Sequence, residues 1–243
     1  MSGAVSAPKK GLIITIDGPS GAGKSTLCRQ LAARLGYVAL DTGAMYRAVA
    51  VAAARRGLDG EDCAVLEKLC AAIRIDFRRE ADREQVLLDG EDVSAAIRTP
   101  EMSLLSSRVS RCSGVRRALV RRQQEIGAAG GVVLEGRDTG TVVFPRAEVK
   151  FFLDAGVVER GRRRYRELFA KGIEVDLQQT IAEMEARDRA DQEREDSPLS
   201  AAADAVRIDS TALAVDEVLD RMLEIIRRHP GFTPAAAKSP GDT

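Results

Sequence analysis

Residues 11–36 read GLIITIDGPSGAGKSTLCRQLAARLG. A β-branched run stops at Asp17, a glycine-rich octet follows, and an amphipathic helical pattern then runs to Gly36. The octet Gly18, Pro19, Ser20, Gly21, Ala22, Gly23, Lys24, Ser25 fits GxxxxGK[ST]. Its glycines let backbone N–H groups turn inward and cradle phosphate oxygens, and the helix behind adds its positive N-terminal end. Lys24 is placed to reach the β- and γ-phosphates, and the Ser25 hydroxyl to bind Mg2+. Strand before and helix after separate a phosphate loop from an ordinary glycine-rich turn. The expectation is a nucleoside triphosphate site running through Thr26.

Outward from the loop, strand and helix patterns alternate. YVALDTG and AMYRAVAVAAARRG follow as strand and helix, GVVLEG and VKFFLDA as buried strands, AVRIDS as a last strand and AVDEVLDRMLEIIRR as a closing helix. This order predicts an α/β fold with a central parallel sheet flanked by helices. Residues 73–93 break the rhythm: IRIDFRR, EQVLLDG and EDV read as short antiparallel strands with a turn at Asp89-Gly90, a small sheet inserted between helices. Residues 1–10 and 230–243 lack periodicity and are expected to be mobile tails, leaving one domain over 11–228.

Composition narrows the partners. Lys+Arg and Asp+Glu both total 37, so no global field draws the chain to nucleic acid or acidic membranes, and neither is expected as a partner. Most of the cations are Arg, which fits either genome composition or bidentate phosphate recognition. Cys28, Cys63, Cys70 and Cys112 form no CxxC pair and no ligand spacing, so small thiols in a reducing compartment are expected. The lone His229 excludes a multi-His metal site and argues against His-based acid–base catalysis. No leader or membrane-length apolar run is evident, and the location expected is cytoplasmic.

A triphosphate site serves either an enzyme that passes on the γ-phosphate or a nucleotide-dependent switch. Guanine-specific switches read their base with NKxD; the chain contains no Asn, so that motif is absent. A kinase needs a second anion site facing the first, and three stretches offer it. In LDTGAMYR, Thr42 is expected to cap the next helix, with Asp41 beside it and Arg47 near the first turns, at the carboxyl edge of the sheet. In LEGRDTGTVVFP, Glu135, Arg137 and Asp138 crowd the end of an apolar strand. Arg137 suits an acceptor phosphate, Asp138 a base amino group, and Glu135 an indirect hold on Mg2+ through water. In the helix after Gly172, the stripe of Leu177, Ile181 and Met184 continues as Arg187, Asp191 and Arg194: a first half that packs, a second half that lines a cleft.

IDGPSGAGKST, LDTGAMYR, LDGEDVSAAIRT, EGRDTGTVVFP and RDRADQERED…PL, in this order and spacing, resemble bacterial cytidylate kinases (CMP/dCMP kinases) of the nucleoside-monophosphate class of P-loop kinases. The resemblance spans residues 11–228. It implies a core over about 11–36, 111–156 and 173–228, a monophosphate-binding region over about 37–110 that carries the small sheet, and a helical Arg-rich lid over about 157–172. The implied reaction moves the γ-phosphoryl of MgATP to CMP or dCMP; a monomer is expected. By the same resemblance Arg47, Arg137 and Arg194 hold the CMP phosphate, Ser107, Arg116 and Asp138 read cytosine, and Arg187 and Asp191 reach the sugar. Asp41 and Thr42 fall on the CMP side, and Arg160, Arg163 and Arg164 on the lid. The chain departs from the family pattern at Ser25, where Gly is common, and at Glu135, where Asp is expected; Thr42 stands where Ser also occurs.

The lid has its own physical argument. ERGRRRYRELFAKG puts five Arg within seven residues, and like charges one turn apart repel by ~0.2–0.5 kcal/mol per pair. A helix that closes on a triphosphate recovers more, since each charge-assisted hydrogen bond returns ~1.5–3 kcal/mol.

Overall fold

The computed structural model describes residues 11–80 and 83–233, with backbone alone at 79, 80, 83 and 84. Five parallel strands form the central sheet in the order β2-β6-β1-β7-β8: β1 (Ile13–Asp17), β2 (Val38–Asp41), β6 (Val132–Gly136), β7 (Val149–Asp154) and β8 (Val206–Asp209). Their apolar runs are nearly continuous because helices cover both faces. Ile13, Leu40, Val132 and Leu134 enter one core, shared with α2 (Thr42–Ala54), α3 (Cys63–Ala72), α4 (Pro100–Val109) and α5 (Ser113–Gly127). Ile14, Ile16, Val133, Phe151 and Leu153 enter the other, filled by α1 (Lys24–Leu35) and α8 (Val215–Arg227).

The inserted sheet is antiparallel, in the order β3 (Ile75–Glu80), β4 (Arg83–Leu88), β5 (Glu91–Asp92). Its expected turn is present, with φ 52° at Asp89 and 89° at Gly90, the pairing that a tight hairpin requires. A single 3-10 turn, Ala96–Arg98, leads from it to α4. On the opposite flank α6 (Val157–Ala170) packs along α7 (Leu177–Gln192), and the two meet so closely that a Cβ on Gly161 would lie 2.3 Å from Ile181.

Several expectations need correction. Helix α2 is capped by Asp41, whose carboxylate accepts from Ala44 N at 2.8 Å, so Thr42 is its first residue and not its cap. The apolar periodicity of residues 63–72 is short and went unassigned, yet α3 forms there, with Asp62 accepting from Val65 N at 3.1 Å. Cys63, at the start of that helix, is disulfide-bonded to Cys112, the residue that caps α5. These two are therefore not the separate thiols expected; their separation of 49 residues carries no pairing signal without the packing of α3 on α5. The tails 1–10 and 234–243 lie outside the described residues. Residues 230–233, also assigned to a tail, are structured: Phe232 packs against the core beside α8. Among the described residues no helix is long and apolar enough to cross a membrane.

Breaking the Cys63–Cys112 link releases a loop whose closure is worth about 2–4 kcal/mol. Cys63→Ser is expected to lower the thermal midpoint by roughly 5–15 °C for a chain of this size, and added reductant to lower the wild type but not the variant. Calorimetry with and without reductant checks it.

Candidate active site

The parallel register brings distant motifs together. Asp17 pairs with Gly136 across β1 and β6, and Asp41 with Glu135 across β2 and β6, so three strand ends stand side by side. The phosphate loop leaves the first of them. Gly18 adopts φ 147°, and a Cβ there would lie 1.9 Å from the Leu153 carbonyl oxygen, so no other residue fits. Lys24 opens α1, and its Nζ donates to Pro19 O at 2.6 Å. Burial, then the nearby Arg137, pushes its pKa down; Glu135 and Asp17 pull the other way. Ser210 Oγ donates to Ala22 O at 3.0 Å, so the turn after β8 braces the loop.

Glu135 is buried against Ser25 and Asp41. Burial, then the Asp41 charge, pushes its pKa up, while Lys24 and a hydrogen bond with Ser25 oppose the shift. A buried carboxylate beside a like charge and a helix-start hydroxyl is a set of hard oxygen donors that a divalent cation suits. Among the described residues no cluster of three or more Asp, Glu, His or Cys makes a complete protein cage. A metal here would share its coordination with phosphate oxygens and water.

Beyond Gly136 come Arg137 and Asp138, each paired with a partner on a different helix. Arg137 Nε donates to Asp191 Oδ2 at 2.8 Å, and Asp191 also binds Arg194. Burial works against the Asp191 charge, but Arg137, Arg194 and Arg187 outweigh it and hold its carboxyl below the usual range. Arg116 is buried against Asp138 and lies over the Tyr46 ring, 5.7 Å from its centroid. Arg47 donates to Asp41 at 2.8 Å. Arg187 Nε is buried without a hydrogen-bond partner, and burial, then Arg137, pushes its pKa down to about 10. With the Arg116–Asp138 pair cancelling, Arg47, Arg137, Arg187 and Arg194 still outnumber Asp41, Glu135 and Asp191 at this junction. Guanidinium groups in excess at one point suit an anion.

Two cavities meet at this cluster. One, of about 60 Å³, is walled by Tyr46, Ser107, Arg116, Asp138, Asp191 and Arg194; the other, of about 560 Å³, contains Lys24, Ser25, Glu135, Arg47, Arg163 and Arg164. Gly136, Arg137 and Arg187 line both. Every acceptor-side residue expected from sequence except Asp41 and Arg47 borders the smaller cavity, and those two border the larger.

The three lid arginines are divided. Arg164 faces the large cleft, paired with Glu167 at 2.9 Å. Arg163 also lines it but binds Ser210 O at 2.6 Å. Arg160 does not line the cleft: it is buried, donating to Ala155 O at 2.7 Å and Ser20 O at 3.1 Å, and pairing with Asp188 of α7 at 2.6 Å. It anchors the base of α6 to the phosphate loop.

Residues 14–228 match the family model described as cytidylate kinase. The chain belongs to the cytidylate kinase family. It is 62% identical over 215 residues to a cytidylate kinase of Syntrophotalea carbinolica, covering 88% of this chain and 92% of that one. To a cytidylate kinase of Geobacter sulfurreducens it is 55% identical over 230 residues, covering 95% and 99%. To one of Pasteurella multocida it is 45% identical over 218 residues, covering 90% and 96%.

In this cytidylate kinase family member, sequence reasoning missed Asp17, Tyr46, Ser106, Ser110 and Asp188. Tyr46, Ser106 and Ser110 wall the smaller cavity, and each looked like ordinary helix filler. Asp188 carried a usable signal, since it follows Arg187 in a helix face that had already turned charged.

Asp191→Asn is expected to cost about 3–5 kcal/mol at neutral pH, because it strands buried guanidinium groups. The folded pKa of Asp191 lies below its unfolded value, so its contribution is present above the unfolded pKa and fades as pH falls through the folded one. The gap between variant and wild type should therefore close in acid. Urea unfolding at pH 7 and at pH 3 measures it.

Proposed function

We propose that the chain transfers the γ-phosphoryl group of ATP to CMP or dCMP, giving ADP and CDP or dCDP, in pyrimidine nucleotide metabolism. The observation that carries this reading is the junction of the two cavities. Arg137 and Arg187 face the triphosphate cleft on one side and, on the other, a small chamber ending in the buried Arg116–Asp138 pair.

In this reading ATP lies along residues 18 to Thr26, its β- and γ-phosphates on the loop N–H groups and Lys24. The CMP phosphate sits among Arg47, Arg137 and Arg194, beside Asp41 and Thr42. Arg187 and Asp191 meet the sugar, and Asp191 is held in place by the arginines on both its oxygens. Ser107, Arg116 and Asp138 meet the base. An ionised Asp138 only accepts hydrogen bonds, so it suits the 4-amino group of cytosine and would face an unfavourable O4 in uracil. The attacking group is a phosphate oxygen that needs no general base, which agrees with a chain whose only His is His229. Ser25, with Glu135 behind it, would hold Mg2+, which would supply charge neutralisation to the triphosphate.

Catalysis then rests on in-line positioning and on cationic charge around a loose, anionic transition state. Arg163 and Arg164 complete that charge from the lid at 157–172, while Arg160 serves as its fixed base. Closure of α6 excludes water and is coupled to nucleotide binding. The reading takes the chain as a monomer that works in the cytoplasm, where nucleoside monophosphates are found.

ADP release from MgATP, measured with CMP, dCMP, UMP, AMP or shikimate one at a time, tests the reading. Strong stimulation by CMP and dCMP with a weak UMP response is expected; hydrolysis indifferent to every acceptor would overturn it in favour of a nucleotide switch. Arg137→Ala is expected to lower kcat by about 100-fold or more with a far smaller change in thermal midpoint. Asp138→Ala is expected to narrow the CMP-over-UMP preference, read as the ratio of kcat/KM values. An unaltered ratio removes Asp138 from base recognition.

A further inference from the structure

We infer that Asp17 is a positioning residue that ties the acceptor loop to the donor loop and so sets where Arg137 and Asp138 stand relative to Lys24. Asp17 is the last residue of β1 and the chain neighbour of Gly18, which opens the phosphate loop. Its carboxylate is 3% exposed, and among the described residues no Lys or Arg pairs with it. Among the described residues, every hydrogen bond of the carboxylate goes to one turn. Oδ1 accepts from Thr139 N at 2.9 Å and Thr139 Oγ1 at 2.8 Å, and Oδ2 accepts from Gly140 N at 2.7 Å. That turn, Thr139–Val143, winds as a single π-helical turn directly after Arg137 and Asp138.

The carboxylate is not interchangeable with another polar group. Burial raises its pKa, and the nearby Asp138 adds to the rise, so an ionised Asp17 is costly in this place. Only a group that accepts on both oxygens satisfies the N–H groups of Thr139 and Gly140 together; an amide would aim one N–H at another. The loop it holds has little slack at either end. A Cβ on Gly136 would lie 2.6 Å from Thr139 Cγ2 and 2.7 Å from Thr42 Oγ1, and one on Gly140 would lie 2.8 Å from Thr15 Oγ1. Thr42 Oγ1 clamps the other flank by donating to Glu135 O at 2.6 Å. Gly136, Arg137 and Asp138 are thus suspended between two fixed points, and Asp17 is the one continuous with the phosphate loop. Two loops separated by 122 residues in sequence share a single carboxylate. Misplacement of a reacting group by about 1 Å costs on the order of 100-fold in rate, so this shared anchor bears on turnover without touching substrate.

This inference rests on the acceptor-side reading of Arg137 and Asp138. The test is steady-state kinetics of Asp17→Asn, Thr139→Val and Thr139→Ser with CMP and UMP, alongside ATP binding by calorimetry and the thermal midpoint. Asp17→Asn is expected to lower kcat/KM for CMP by about 10- to 100-fold and to shrink the CMP-over-UMP ratio, with the ATP Kd within about twofold of wild type. Thr139→Val, which lacks one of the three donors, should show a smaller loss in the same direction, and Thr139→Ser, which keeps it, should behave as wild type. A merely structural role predicts instead a lower midpoint, with ATP binding and CMP turnover falling together and the ratio unchanged; that result overturns the inference, as do wild-type kinetics. Should Asp17→Asn not fold, the Val and Ser variants at Thr139 decide alone: equal behaviour of the two overturns it. Arg137→Ala and Asp138→Ala run in parallel separate the two failures. If those variants impair CMP kinetics and Asp17→Asn does not, the anchor alone is wrong; if they leave CMP kinetics intact, both readings fall.

Discussion

The hydrogen-bond register of β2, β6 and β1 is the constraint on which the site depends. It sets Asp41 beside Glu135 and Asp17 beside Gly136, and the donor loop, the acceptor loop and the helix carrying Arg47 all spring from those ends. The core enforces the register. Alternate residues of each strand are committed to opposite apolar clusters, so a slip of one residue would move Val133 and Leu134 each into the wrong one. Polar groups at the strand tips inherit their alignment from apolar groups in the strand bodies.

On that frame the site concentrates charge of one sign and keeps it soluble in the protein by a single buried hub. Asp191 takes Arg137 on one oxygen and Arg194 on the other, and stays ionised despite burial because those cations outweigh the loss of water. Arg187 has no such partner at Nε, and its guanidinium is held closer to neutrality than an exposed one. Guanidinium groups left partly unsatisfied in this way are the groups that charge-assisted hydrogen bonds to an anion would serve, as the proposed function requires. The Arg116–Asp138 pair follows another logic: it is matched and buried, with Arg116 over the Tyr46 ring, so its geometry is fixed by the protein itself.

The run of arginines in α6 does more than one job. Arg160 is spent on holding the helix base to the Ser20 carbonyl and to Asp188, and Arg163 on the Ser210 turn, while Arg164 stays with the cleft. The base of the segment is therefore tied to the phosphate loop, while the side chain of Arg164 lines the cleft.

How much of this was legible in the sequence follows from range. The phosphate loop was readable, because its glycines and Lys24 act on backbone within a few residues of themselves, and the same holds for the α/β alternation and the Asp89-Gly90 hairpin. The charged end of the helix bearing Arg187, Asp191 and Arg194 was readable too, since a face that changes from apolar to charged has left the core. What the sequence did not show depends on pairs far apart in the chain. Asp17 looked like the end of a strand, and its hold on Thr139 and Gly140 exists only once β1 and β6 lie in register. The bond between Cys63 and Cys112 needed α3 against α5, and the capture of Arg160 needed α6 against α7. Local backbone preference determined the loop, the elements and the kind of chemistry. Tertiary packing alone decided which charges meet, because a partner chosen across the fold leaves no periodic mark on the chain.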